Sequence, residues 1–172
     1  ERNNAANGVS RLALLRYDVG GSATTLNATN EWSLNADLPA VSPNLGIEDI
    51  AFVPDSYLTA NGFRDESTGA AYNPAGYPNH GGGIFFVGLE SNGMVYAYAL
   101  DHATNTYTRV ATFSSGFSTG VMALDFEAET NRLWVVCDDT CTGRHAVFAI
   151  DTAAGPNQGT FRPLHYYERP AG

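Results

Sequence analysis

Apolar and polar residues alternate in short runs along this chain. Almost nowhere do apolar positions return with the three-to-four-residue spacing of an amphipathic helix. The runs are rich in β-branched and aromatic residues and are separated by Gly, Asn, Asp and Pro, the pattern of strands joined by turns. Predicted strands cover residues 11–18, 25–34, 48–53, 83–90, 94–101, 107–113, 122–127, 132–137, 145–151 and 161–168. The fold class this predicts is all-β.

The strands also repeat in sets. "GIEDIAFVPD", "GGGIFFVGLE", "GMVYAYALD" and "TYTRVATFS" form one set of four. "GVMALDFEAE", "NRLWVVCDD", "RHAVFAID" and "FRPLHYYE" form a second, and half a set, "RLALLRYD" and "TLNATNEWSL", stands ahead of both. The third strand of each set ends in Tyr17-Asp18, Leu100-Asp101 and Ile150-Asp151. A period of about 40–50 residues with four strands per unit is that of a β-propeller. The expectation is a β-propeller of four-stranded antiparallel blades, of which this chain holds about two and a half. A flexible segment, 1–10, precedes a partial propeller domain, 11–172. That domain divides into a half blade 11–40, a blade 44–115 with an insertion 54–82, and a blade 118–170. Propellers close with about four to eight blades. The chain is therefore expected to be a fragment, with the rest of the ring supplied by more of the protein or by further copies. A self-contained sandwich is the competing architecture.

Blade geometry sorts the loops. Loops between blades, and loops joining second to third strands, open at one end; loops joining first to second strands open at the other. Glu48, Asp49, Glu90, Asn92, Asp138, Asp139 and Arg144 fall at the first end. Arg64, Asp65, Glu66 and His80, in the insertion, fall at the second.

Charge narrows the range of partners. Eighteen acidic residues outnumber nine basic ones, every base is Arg, and the formal net charge is −9. Such a chain lacks the basic face that binds duplex nucleic acid. It suits a soluble secreted protein, or one that recruits divalent cations. No apolar run reaches the ~18 residues of a membrane span. Hard cations such as calcium take about six to eight oxygen ligands, and Glu48, Asp49, Asp138 and Asp139 converge at one end in this arrangement. A turn role for the Asp pair and a solvated strand-end role for Asp49 are the alternatives; Asp125 is expected either to line the channel too or to be a hydrogen-bonded core acid.

Two motifs look like those of lipases. His80-Gly81-Gly82-Gly83 matches an oxyanion motif, and Gly116-Phe117-Ser118-Thr119-Gly120 matches G-x-S-x-G. A nucleophile elbow needs a strand-to-helix turn, and Ser118 is followed by another predicted strand. Ser118 is kept as a residue lining the first end. C-x-x-x-C with one nearby His falls short of a zinc set, and His102, His145 and His165 show no ligand spacing.

At "NLGIEDIAFVPDSYL", "GGGIFFVGLESNGMVYAYALD", "GVMALDFEAETNRLWVVCDDTCTGR" and "YERPAG" the chain resembles secreted bacterial proteins of the esterase-like-activity-of-phytase family, relatives of phytase-like and lactonase-like propellers. The resemblance implies a secreted ring of about six or seven blades, calcium as cofactor, and hydrolysis of phosphoesters or other esters by a metal-bound water. Glu48 matches the acid that helps hold the metal. On that reading Glu48 and Asp138 are catalytic, and Glu48, Asp49, Asp138 and Asp139 ligate the ion. Arg144 and Ser118 then face substrate. The secreted setting also favours a disulfide between Cys137 and Cys141. A non-catalytic extracellular scaffold that presents the insertion to a partner is the alternative function.

Overall fold

The computed structural model describes residues 2–3 and 6–170. At the start, β1 (Arg2–Asn3) pairs with β2 (Ala6–Ser10) in a short hairpin. Part of the segment expected to be flexible is thus extended backbone, while Glu1, Asn4 and Ala5 lie outside the described residues. β3 (Ala13–Tyr17) and β4 (Ala28–Ser33) form a two-stranded antiparallel sheet, in the place of the half set.

β5 (Ile47–Pro54) opens the first four-stranded sheet. The chain then leaves it through α1 (Asp55–Ala60) and a small hairpin of β6 (Arg64–Asp65) and β7 (Ala70–Ala71). It returns at β8 (Gly83–Leu89), followed by β9 (Met94–Leu100) and β10 (Tyr107–Ser114). The sheet order is β5-β8-β9-β10, antiparallel throughout. β11 (Val121–Glu127), β12 (Arg132–Cys137), β13 (His145–Ile150) and β14 (Phe161–Tyr167) repeat this order in a second antiparallel sheet. The fold is all-β, and the two predicted sets of four are its two large sheets.

The sheets stack through two apolar layers. β9 buries nearly every residue because its alternate side chains enter both layers. Val95, Ala97 and Ala99 face the β11–β14 sheet, with Phe86, Leu133, Val135 and Phe148 in the same layer. Tyr96, Tyr98 and Leu100 face β3–β4, against Leu12, Leu14, Trp32 and Leu34. A strand covered on both faces shows a continuous apolar run, as "MVYAYAL" does.

The repeat is chemical as well as topological. The aspartate ending each third strand closes the same turn, accepting the N–H two residues on: Asp18 from Gly20 at 2.9 Å, Asp101 from Ala103 at 2.8 Å and Asp151 from Ala153 at 3.0 Å. Such Asx turns replace a main-chain acceptor with a side-chain one. The repeated Asp at fixed offset therefore marks a strand end. A register shift recurs too, between Ile47 and Asp49 on β5 and between Val121 and Ala123 on β11.

The insertion differs from its reading as a loop. Its helix is under two turns, too short to register as a period, and it is held by burying Tyr57 and Leu58. Tyr57 packs on Phe126, and Phe63 on Phe86 and Phe161, with centroids 4.9–6.3 Å apart. The segment closes the layer between the two large sheets at one end. Among the described residues no helix is long and apolar enough to cross a membrane.

Candidate functional site

Main-chain bonds tie together the end that carries most of the predicted site. Glu90 N–H donates to Gly46, Gly120 N–H to Glu90 and Asp138 N–H to Gly120, each at 2.8–2.9 Å. Four segments distant in sequence are thereby clamped side by side.

Within this end the carboxylates do different work. Asp49 accepts from its neighbour Ile50 N–H at 2.7 Å and, through its other oxygen, from Leu124 N–H at 2.8 Å. It clips β5 to β11. Asp138 accepts from Thr140 N–H at 2.8 Å and Thr140 Oγ1 at 2.6 Å, capping the single 3₁₀ turn Asp139–Cys141. Glu48 and Asp139 are exposed. Among the described residues the group of three ligand-bearing side chains within reach of one ion is Cys137, Asp138 and Cys141. Both of its sulfurs are joined in the Cys137–Cys141 disulfide, with Cα atoms 6.0 Å apart. A disulfide offers no thiolate, Asp49 spends both oxygens on backbone donors and Asp138 Oδ1 caps the Thr140 turn, so these residues do not form a preformed calcium cage.

Arg144 is held as well. Its guanidinium lies 5.7 Å from the rings of both Phe117 and Tyr166, and its Nε is 2.9 Å from Glu168. That Nε lacks a well-directed hydrogen bond, so the Glu168 contact is an ion pair by proximity. Arg144 fastens the β10–β11 loop to β14. Ser118 is exposed in that loop and is followed by β11, a strand, so the elbow geometry is absent. Gly120 has its own reason to be Gly: φ is +78°, and a Cβ there would strike Thr140 and lie 2.6 Å from Asp138 Oδ1.

The His80-Gly-Gly-Gly motif lies at the opposite end. Gly83 is demanded by packing, since a Cβ would come within 2.5 Å of the Phe52 ring and 2.6 Å of the Val53 carbonyl. His80 is buried and engaged at both ring nitrogens. Nε2 meets Asp55 Oδ2 at 2.9 Å, and Nδ1 meets the Tyr77 carbonyl. Tyr72 donates to Asp55 at 2.8 Å. Burial first, then the Asp55 carboxylate, pushes the Tyr72 phenol above its usual range.

A second knot sits beside it. Asp65, only 1 % exposed, accepts from Ser67 N–H at 2.9 Å, from Ser67 Oγ at 2.7 Å and from Tyr77 Oη. Burial, followed by the Asp65 bond, raises the Tyr77 phenol, so both tyrosines stay donors to their acids. Asp65, Ser67, Asn73, Tyr77 and Thr108 line an open hollow of about 540 Å³. Asp65 and His80 were placed at this end from sequence. Their partners were not, because Asp55 lies 25 residues from His80 and no local motif marks the pair.

Comparison with known proteins finds no matching family model, no matching curated protein and no matching solved structure. The family resemblance therefore rests on the sequence phrases alone.

Proposed function

We propose that the chain is a section of a secreted β-propeller that acts as a non-catalytic binding scaffold, with the insertion 54–82 as the surface it presents. The insertion itself carries the reading: two carboxylate–phenol knots fix its shape around the polar hollow before any ligand arrives. A preorganised surface binds without the cost of ordering loops. An amide, hydroxyls and a phenol in one concavity, over the buried Asp65 carboxylate, suit a neutral or cationic polar ligand. The acidic net charge disfavours an anionic one. The propeller reading is supported by the repeated sheet order and the recurring Asp turn, and the secreted setting by the disulfide. The remainder of the ring would come from more of the protein or from further copies.

Isothermal titration against neutral oligosaccharides and basic peptides tests the scaffold reading. Binding is expected in the native chain and weakened in Asn73→Ala; equal binding in both would remove the hollow from the site.

The second reading is a secreted calcium-dependent hydrolase of phosphoesters or other esters. Glu48 and Asp139, exposed at the clamped end, favour it. They would need further oxygens, since both Asp49 oxygens and Asp138 Oδ1 already accept hydrogen bonds. Calcium-dependent turnover of p-nitrophenyl phosphate or acetate that disappears in Glu48→Gln decides for this reading. Its absence in the complete protein decides for the scaffold.

A further inference from the structure

β3 has a neighbour on one side only among the described residues. Leu12, in line with it, accepts from Leu34 N–H and gives its own N–H to Asn35 Oδ1. Main-chain groups alternate in direction along a strand. Those of Ala13 and Leu15 therefore point to the open side. Such an edge is a template for another strand.

Beside this edge lies apolar surface with nothing over it. Ile50 and Phe52 on β5 are each 42 % exposed, although Ala51 and Val53, which point the other way, are buried. Leu14, Tyr17, Trp32, Ile50, Phe85 and Leu100 line a groove of about 350 Å³ between β3 and β5. This groove is continuous with the layer in which β3–β4 already cover Tyr96, Tyr98 and Leu100. The sheet β5-β8-β9-β10 is thus covered over its last two strands and bare over its first.

We propose that two further antiparallel strands, joined to the chain on the N-terminal side of β3, pair with its open edge and lie over Ile50, Phe52 and Phe85. The inference rests on the propeller-section reading. Chain order selects the occupant. In both large sheets the first two strands precede the third, and the first strands, β5 and β11, lie side by side. β3 and β4 match third and fourth strands, down to the Asp18 turn. The open positions are therefore first and second, and the first falls next to β5. A strand pair with one apolar face has the chemistry to fill them, as β11 and β12 do on the far side of β5.

Hydrogen exchange on the 172-residue chain is the first test. Ala13 and Leu15 amides are expected to exchange fast and those of Leu14 and Arg16 slowly. Binding of a hydrophobic dye should be lost in Ile50→Asp with Phe52→Asp. Slow exchange at Ala13 and Leu15, with a dimer mass by light scattering, would overturn the proposal in favour of a second copy. Next, residues 119–143 are duplicated ahead of Leu12 in place of residues 1–11. Exchange at Ala13 and Leu15 is then expected to slow by at least about a hundredfold, with dye binding reduced. Unchanged exchange in a folded graft overturns the proposal; where the graft does not fold, exchange on the native chain decides alone. Strand uptake in a stack that small-angle scattering shows to be flat would keep this inference and remove the propeller reading. Failed uptake in a curved stack does the reverse.

Discussion

The two large sheets share one strand order and differ in what covers them. The middle sheet, β5-β8-β9-β10, is packed on both faces over most of its width, and β9 reads as unbroken apolar sequence. The end sheet, β11–β14, is packed on one face, and β12 alternates: Leu133, Val135 and Cys137 point in, while Arg132, Trp134 and Val136 point out. The hairpin joining second to third strand differs in step. In the middle sheet it is four residues closed by Gly93 in the left-handed region. In the end sheet it spans seven residues and is held by the disulfide and the Asp138 cap. The hairpin of the sheet covered twice is held by Asn92, which accepts from Met94 N–H and donates to Tyr96 Oη; that of the sheet covered once adds a covalent staple.

The largest loss of stability is expected from Phe86→Ala. Phe86 is fully buried between the sheets, against Phe63, Phe113 and Phe161, so truncation should cost about 3–5 kcal/mol in denaturant unfolding. Trp134→Ala, on the outer face of the end sheet where it stacks on Tyr167 at 5.7 Å, should cost only about 1 kcal/mol. Equal losses would mean that the outer face is covered after all.

Removing the staple comes next. Replacing Cys137 and Cys141 together by Ser should lower stability by about 2 kcal/mol, the closure entropy of a small loop. Exchange should rise first at β12 and β13 and leave β9 unchanged. Asp49→Ala probes the seam between the sheets. It removes the acceptor of Leu124 N–H and is expected to cost about 1 kcal/mol, read as faster exchange at Leu124.

The smallest effect concerns pH. Burial, aided by Arg16, lowers the His102 pKa below its ordinary 6.5, with Asp101 acting the other way. A folded-state pKa below the unfolded one means that the unfolded chain binds more protons in that window. Stability should therefore rise with pH up to about 6.5. Unfolding midpoints at pH 5 and 7.5 should differ less in His102→Gln than in the native chain.

Strand positions were legible because period-two alternation and Gly, Asn and Asp turns are local signals. The ten strands read from sequence fall on β3–β5 and β8–β14 to within three residues at any end. The repeat was legible for the same reason, since Asp18, Asp101 and Asp151 each act on a backbone group two residues away. The helix Asp55–Ala60 was not, because six residues carry less than two periods. The site was read least well. Asp49 and Asp138 as spacings suit a metal; only their partners, Leu124 at 75 residues' distance and the Thr140 turn, show both Asp49 oxygens and Asp138 Oδ1 at work in hydrogen bonds. Arg144 likewise became a clamp once the touching rings of Phe117 and Tyr166 were both within reach of it.

By itself the sequence determined what is local: an all-β chain, its strand pairs, its Asp-closed turns and the hairpin that holds Cys137 and Cys141. The tertiary structure alone decided which acids pair with which donors, how the insertion seals the core, and that β3 keeps an open edge beside bare Ile50 and Phe52. Those outcomes bring together residues far apart in the chain, such as Asp55 with His80 across 25 positions and Asp49 with Leu124 across 75, and no periodicity in a chain encodes a partner at that range.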